Sequence, residues 1–309
     1  MRIVIVGAGS IGTLLAGLLA RSKEDVWLFV KTPEKAKQID ASGVSVEGVA
    51  GSWQAKVRVT AEARDIQAAE LVIICVKSYD TKSAVKAALP LIGETTSVLT
   101  LQNGMGNLEI LQETVGAEKV IGGITSMGAT LISPGRVRYA GKGETVIGRM
   151  DGSMPVVMRE IRERFNRAGI ETRISRDIKS FLWSKLIINA GINALTAVTR
   201  LNNGRLPEFD QTREVLRHAV TEAVRIAKRK RVKLIYEDPL SKVEAVCEAT
   251  SSNVSSMLQD VLKKKKTEID FINGFIVRQG QELGIPVPVN TVLTDLVKTI
   301  EASYDITVK

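Results

Sequence analysis

Apolar and polar positions divide the chain into two stretches of different rhythm. In the first, short apolar runs alternate with segments of helical period. "RIVIVG" is a β-branched run that stops at a glycine, and "SIGTLLAGLLARS" follows with its apolar residues at helical spacing. "DVWLFVK" and "LVIICVKS" read as further strands, the second apolar without a break and so expected to be covered on both faces. "TKSAVKAALPLI" returns to helical period, "SVLTLQNGMG" is a strand running into a turn, and "KVIGGITSMGAT" is one more strand. "RVRYAGKGETVIG" alternates around a glycine turn and predicts a hairpin. Strands alternating with helices imply a doubly wound, mainly parallel sheet.

The rhythm changes near residues 150–177. "MPVVMREIRERFNRAG" is a helix and "IETRISRDI" a short strand or connection. From there on the apolar period is helical, with "GIPVPVN" as a proline-marked turn before the last helix. The expectation is an α/β domain over residues 1–177 and an all-α domain over 178–309. No internal repeat or low-complexity segment interrupts either.

Composition narrows the chemistry. With 309 residues, 44% of them hydrophobic and 25% charged, two globular domains are the natural reading. No uninterrupted apolar run approaches the ~18 residues of a membrane span, and glycines break the N-terminal apolar run before a signal peptide could form. A cytoplasmic protein with no membrane partner is expected. Cys75 and Cys247 suit small buried hydrophobes better than a disulfide. The net charge of +9 is concentrated in "AKRKRVK" and "LKKKKTE", which read as solvated helix faces. With 4% aromatic residues there is little to stack on bases, so no nucleic-acid partner is expected. The positive field would instead attract an anionic cofactor and substrate. The single histidine, His218, lies in an amphipathic helical segment. A histidine-built metal site and a Ser-His-Asp triad are thereby set aside, no metal is expected, and a general acid must be Lys, Tyr, Asp or Glu.

The first candidate site is "GAGSIG": Gly7, Ala8, Gly9, Ser10, Ile11, Gly12. It follows a strand and opens an apolar helix, the context a dinucleotide fingerprint needs. Gly7 permits the tight turn, Gly9 lets the backbone approach a pyrophosphate, and Gly12 lets helix and strand pack closely. The helix N-terminus offers free N–H groups and the positive end of its dipole. An NAD site usually carries Asp or Glu roughly 20 residues further on. Here the second strand ends in Val30, Lys31, Thr32. The missing acid, and Lys31 as a partner for a 2′-phosphate, favour NADP, although Lys31 also reads as an ordinary strand-end lysine. Lys77 in "CVKSYDT" and Asn103 in "LQNGMG" follow parallel strands, whose carboxyl ends line the ligand crevice. Each has a plain reading too, as an edge lysine and a turn asparagine.

The second candidate site is "WSKLIINAGINALT". Lys185, Asn189 and Asn193 recur every four residues and span roughly an 80° stripe of an otherwise apolar helix. Either these polar groups satisfy one another between packed helices or they face a ligand. Further on come Ser256 and Glu268, whose Cα atoms one straight helix would hold about 18 Å apart. "TEID" has the form of a capping box with Thr267 as N-cap and Asp270 at N3. A helix break near Lys266–Thr267 would then turn Glu268 back toward the stripe.

Over almost its whole length the chain resembles the ketopantoate reductase (2-dehydropantoate 2-reductase) family. The likeness rests on "GAGSIG", "CVKSYDT", "LQNGMG", "LWSKLIINAGINALTA", "NNG", "SSMLQD" and "TEIDFINGF". It implies a Rossmann domain followed by a helical domain, and NADPH-dependent reduction of 2-dehydropantoate to (R)-pantoate. By motif, the family's catalytic lysine falls on Lys185. Its substrate asparagines fall on Asn189, Asn193 and Asn203, its substrate serine on Ser256, and its glutamate near substrate and nicotinamide on Glu268. The cofactor set falls on Gly7 to Gly12, Lys31, Lys77, Asn103 and, by backbone contact, Gly128, with Asn103 also reaching substrate. Where the family often has arginine after the second strand, this chain has Lys31, which keeps the charge and loses the bidentate fork. Such a site would be split between the domains and close on binding. A monomer or a homodimer is compatible with the sequence. A related reductase of another 2-oxo or 3-hydroxy acid and a non-catalytic NADP-binding regulator are the alternatives.

Overall fold

In the computed structural model, which describes residues 1–306, the chain divides into two compact units. The first comprises Met1–Gln102 and Asn107–Ile178; the second comprises Asn103–Gly106 and the chain from Lys179 onward.

The first unit is built on β1 (Arg2–Val6), α1 (Ser10–Arg21), β2 (Asp25–Phe29), α2 (Pro33–Ser42), β3 (Val44–Gly48), β4 (Trp53–Ala55), β5 (Arg58–Thr60) and β6 (Ala69–Ile74). It continues with α3 (Thr81–Ala88), β7 (Ile92–Thr100), α4 (Asn107–Val115), β8 (Val120–Thr125), β9 (Gly128–Ser133), β10 (Arg136–Gly141), β11 (Thr145–Gly148), α5 (Val156–Arg167) and β12 (Thr172–Ile174). The main sheet has the order β12-β11-β8-β7-β6-β1-β2-β5. Its strands pair in parallel except β11 against β8. The central strands are the unbroken apolar runs, and Ile3, Ile5, Leu71, Ile73 and Leu99 are fully buried. Register aligns Val6 with Ile74 and Ile74 with Thr100. The turns after β1, β6 and β7 therefore leave from one edge of the sheet.

A second sheet, ordered β4-β3-β10-β9, lies over α1. Val44 and Val46 of β3 press on Gly17, where an added Cβ would collide with Val46. This sheet corrects two expectations. "RVRYAGKGETVIG" is not a hairpin: β10 pairs with β9 and β3, whereas β11 pairs with β8 and β12. "KVIGGITSMGAT" is not one strand: β8 stays in the main sheet, and the chain crosses to the second sheet at Ser126–Met127 before β9.

The second unit is helical: α6 (Ile178–Thr199), α7 (Asp210–Arg229), α8 (Pro239–Ala249), α9 (Ser256–Leu262), α10 (Asn273–Leu283) and α11 (Pro288–Ala302), with short 3-10 turns at Asn203–Glu208 and Ile269–Phe271. By length and composition α6 could cross a bilayer, against the expectation that no segment could, but most of it is buried among the other helices. Its backbone comes close to α7 and α8 at Gly191, where a Cβ would lie 2.9 Å from Val220 and 3.2 Å from Val243.

The helix break expected near Lys266 exists, without the capping box. α9 ends at Leu262 and Lys264 takes a positive φ of 51°. Thr267 Oγ1 accepts the Ile269 N–H at 3.1 Å, but Asp270 does not reach back. Its carboxylate pairs with Lys298, 3.2 Å away on α11, and Glu301 accepts the Thr267 N–H at 2.6 Å.

Candidate active site

The fingerprint sits at the β1–α1 turn. Gly7 has a φ of +103°, and a Cβ there would lie 2.8 Å from Val76 Cγ1. A Cβ on Gly12 would collide with the Gly7 carbonyl oxygen, so the turn closes only on glycine. Gly9 differs: its Cβ would meet nothing nearer than the Cys75 carbonyl oxygen at 3.7 Å. Its bareness is not needed for packing, which leaves a cradle for a close-approaching ligand. The first helical bond is Thr13 N–H to Gly9 O, so the N–H groups of Ser10, Ile11 and Gly12 stand outside the ladder. No acidic residue occupies the first turn of α1 and no side chain caps it. An uncapped helix end, a bare Gly9 and a positive dipole fit a dinucleotide pyrophosphate. Ala8 is buried beneath the turn. β9 reaches this turn, Leu131 N–H donating to Ser10 Oγ at 3.1 Å, and Gly128 begins the same strand.

Lys31 is exposed just beyond β2, and no acid stands at the strand's end. Lys77 is half-buried after β6, at the head of a 3-10 turn. Behind it lies a buried cluster outside the expected set. Gln102 Nε2 donates to Val76 O and Thr81 Oγ1, both at 2.8 Å, and Thr100 Oγ1 donates to Gln102 Oε1 at 2.9 Å. Asn107 accepts from Thr81 at 2.8 Å and donates to Ser78 Oγ at 3.0 Å. These bonds tie the β6–α3 turn, which carries Lys77, to the ends of the loop containing Asn103. The signal was in the chain, since Thr81 and Gln102 lie within the quoted motifs, but their pairing was not.

In the helical unit α6 carries Lys185, Asn189 and Asn193 on one stripe. The first two are half-buried and Asn193 is buried. Asn189 Nδ2 is buried with no hydrogen-bond partner among the described residues, which in mutational data costs about 1–3 kcal/mol. Burial pushes the Lys185 ammonium down to about 8, and the charge of Glu268 opposes that shift. Glu268 is itself buried, at the head of the Ile269–Phe271 turn.

That turn also receives Asn103. The 103–106 segment packs with the helical unit although the sequence reading placed it in the α/β domain. Met105 N–H donates to Phe271 O at 2.8 Å, and Phe271 N–H donates to Glu268 O at 3.0 Å. Gly104, at a φ of +79°, presses on Phe271, where a Cβ would lie 2.6 Å from its carbonyl oxygen. Asn103 and Glu268 are thereby set on adjoining backbone.

Ser256 is the first residue of α9. Its neighbour Ser255 is the N-cap, accepting from Leu258 N–H at 3.1 Å and sharing a 2.7 Å hydrogen bond with Thr196 Oγ1 on α6. Ser256 is thus fastened beside the α6 turn that follows Asn193. Asn203 is drawn elsewhere: its Nδ2 donates to Thr250 Oγ1 at 2.9 Å and its N–H to Asn253 O at 3.1 Å. Its Oδ1 is buried without a partner among the described residues.

Two family models cover this arrangement. Residues 3–152 match "Ketopantoate reductase PanE/ApbA" and residues 177–301 match its C-terminal counterpart. The chain belongs to the ketopantoate reductase family. It is 38% identical to the 2-dehydropantoate 2-reductase of Halobacterium salinarum, over 96% of this chain and 98% of that protein. Among solved structures, a PanE/ApbA family ketopantoate reductase from Ralstonia eutropha aligns with a TM-score of 0.91 at 35% identity, over 98% of this chain and 99% of that one. D-mandelate dehydrogenase, solved with NADH and anilino(oxo)acetate, aligns with a TM-score of 0.92 at 26% identity, over 99% of this chain and all of that one.

Proposed function

We propose that this protein reduces 2-dehydropantoate to (R)-pantoate with NADPH, the step that supplies pantoate to pantothenate and coenzyme A synthesis. The observation that carries the assignment of roles is Lys185: a lysine on a polar stripe of an apolar helix, its ammonium brought down to about 8 and opposed by Glu268. Lysine acids need such values, because a group near its pKa at working pH both holds and releases a proton.

NADPH, when bound, supplies the hydride. The N–H groups of Ser10 to Gly12 would hold the pyrophosphate over the bare Gly9, with Lys77 and Gly128 alongside. Lys31 would meet the 2′-phosphate. As the C2 ketone becomes an alkoxide, Lys185 faces the growing charge with its own and gives its proton to that oxygen, leaving the amine neutral until solvent restores it. Glu268 keeps the ammonium populated before transfer. Asn189 offers its unpartnered donor to an acceptor oxygen of the substrate, and Asn193, Ser256 and Asn103 hold the remaining oxygens. Asn203 would reach substrate by its acceptor oxygen and the second Nδ2 hydrogen, which the bond to Thr250 leaves over.

The test is absorbance at the NADPH band with ketopantoate, NADH and close 2-oxo acids. Ketopantoate with NADPH should give the highest kcat/KM, with NADH at least tenfold lower. A phenyl-substituted 2-oxo acid outperforming ketopantoate would overturn the substrate assignment.

A further inference from the structure

A buried relay of polar side chains, remote from the stripe in sequence, ends on the stripe's own helix. Glu222 on α7 is 6% exposed. Its Oε1 accepts the Val289 N–H at 2.9 Å, and its Oε2 accepts the Asn290 N–H at 2.9 Å and Asn290 Nδ2 at 2.7 Å. It thus caps the first turn of α11 from another helix. The second Nδ2 hydrogen of Asn290 goes to Ala219 O at 3.0 Å. Both of those partners can only accept, so Asn290 must turn its oxygen the other way, toward Asn273. Asn273 Nδ2 donates to that oxygen at 3.0 Å and, with its other hydrogen, to Ala190 O of α6 at 3.0 Å. Asn273 and Asn290 have no exposed surface. The carboxylate therefore sets the direction of every amide down the line.

Ala190 lies between Asn189 and Asn193. On the next residue, Gly191, the α6 backbone is pressed onto Val220 and Val243. At ~100° per residue, Gly191 points roughly 160° away from both asparagines. α6 is thus held against α7 and α8 by its bare side and gripped at a carbonyl by Asn273, which leaves little freedom to rotate.

We propose that Glu222, Asn290 and Asn273 are positioning residues that fix the rotation of α6 and so aim Lys185, Asn189 and Asn193. This rests on the roles given to that stripe above. Glu222→Gln puts an N–H where an acceptor is required. Whichever oxygen is replaced, the new N–H faces a backbone N–H, that of Val289 or that of Asn290, so the first turn of α11 must shift, Asn290 shifts with it, and the grip of Asn273 on Ala190 is loosened. The stripe then turns while its residues remain.

The experiment compares wild type, Glu222→Gln, Asn273→Ala and the double variant, each with ketopantoate and NADPH, together with NADPH affinity and amide exchange across α6. Wild-type turnover of ketopantoate is the control for the functional reading, and its absence would sink that reading rather than the relay. The expected result is a fall in kcat of tenfold or more in each single variant, with NADPH affinity within twofold. Exchange should quicken at residues 190–194, and the double variant should be no worse than the weaker single. Should Asn273→Ala fold poorly, Glu222→Gln carries the test alone, since it removes no volume. Folded Glu222→Gln with kcat within twofold of wild type and unchanged exchange in α6 would overturn the proposal. So would multiplying losses in the double variant.

Discussion

Lys185 concentrates the chemistry into one titration. Its folded value of about 8 lies below that of a free lysine, with burial the larger cause and Glu268 opposing it. A lowered lysine favours the neutral form in the fold. This group therefore weakens the fold below about pH 8, and its penalty fades as pH rises toward the free-lysine value. Reduction needs the charged form, so kcat/KM should be flat below about pH 8 and then fall close to tenfold per pH unit. Pantoate oxidation should show the reverse limb. Glu268→Gln removes the charge that raises Lys185, so the same limb should move to lower pH. A limb that stays in place, or moves up, would show that another group is titrating.

At the scale of elements, the β1–α1 turn separates two jobs that one glycine pattern conflates. Gly12→Ala drives a methyl into the Gly7 carbonyl and should cost about 1–3 kcal/mol of stability, read by thermal or denaturant unfolding. Gly9→Ala meets only ordinary contact and should leave stability within about 0.5 kcal/mol. It should nevertheless weaken NADPH binding at least tenfold, because the methyl fills the phosphate's approach. Equal stability losses in the two variants would contradict that division. What was legible in the sequence follows the same line between local and distant. The fingerprint, the central strands and the α6 stripe are local periods, and each lies where its period put it. The second sheet is a matter of partner choice: β10 and β11 both alternate, yet nothing in either says that they belong to different sheets. The relay is less legible still, since Asn273 meets Ala190 across 83 positions and Asn290 meets Glu222 across 68. Their residue types were visible, and their pairing is a product of the fold.

At the scale of the whole molecule, the α/β unit carries the groups suited to a dinucleotide and the helical unit those suited to a keto acid and its proton. The chain matches the ketopantoate reductase family in both parts. The assignment to separate units predicts that binding and chemistry can be lost one at a time. The most direct measurement is steady-state reduction of ketopantoate by Lys185→Ala at saturating NADPH, with NADPH affinity measured on the same sample. Loss of a general acid that also stabilises the alkoxide should lower kcat by roughly 10²–10⁴-fold. NADPH affinity should stay within about twofold of wild type, inside the tenfold that ~1.4 kcal/mol would represent. Turnover by Lys185→Ala at the wild-type rate would contradict the account at its centre.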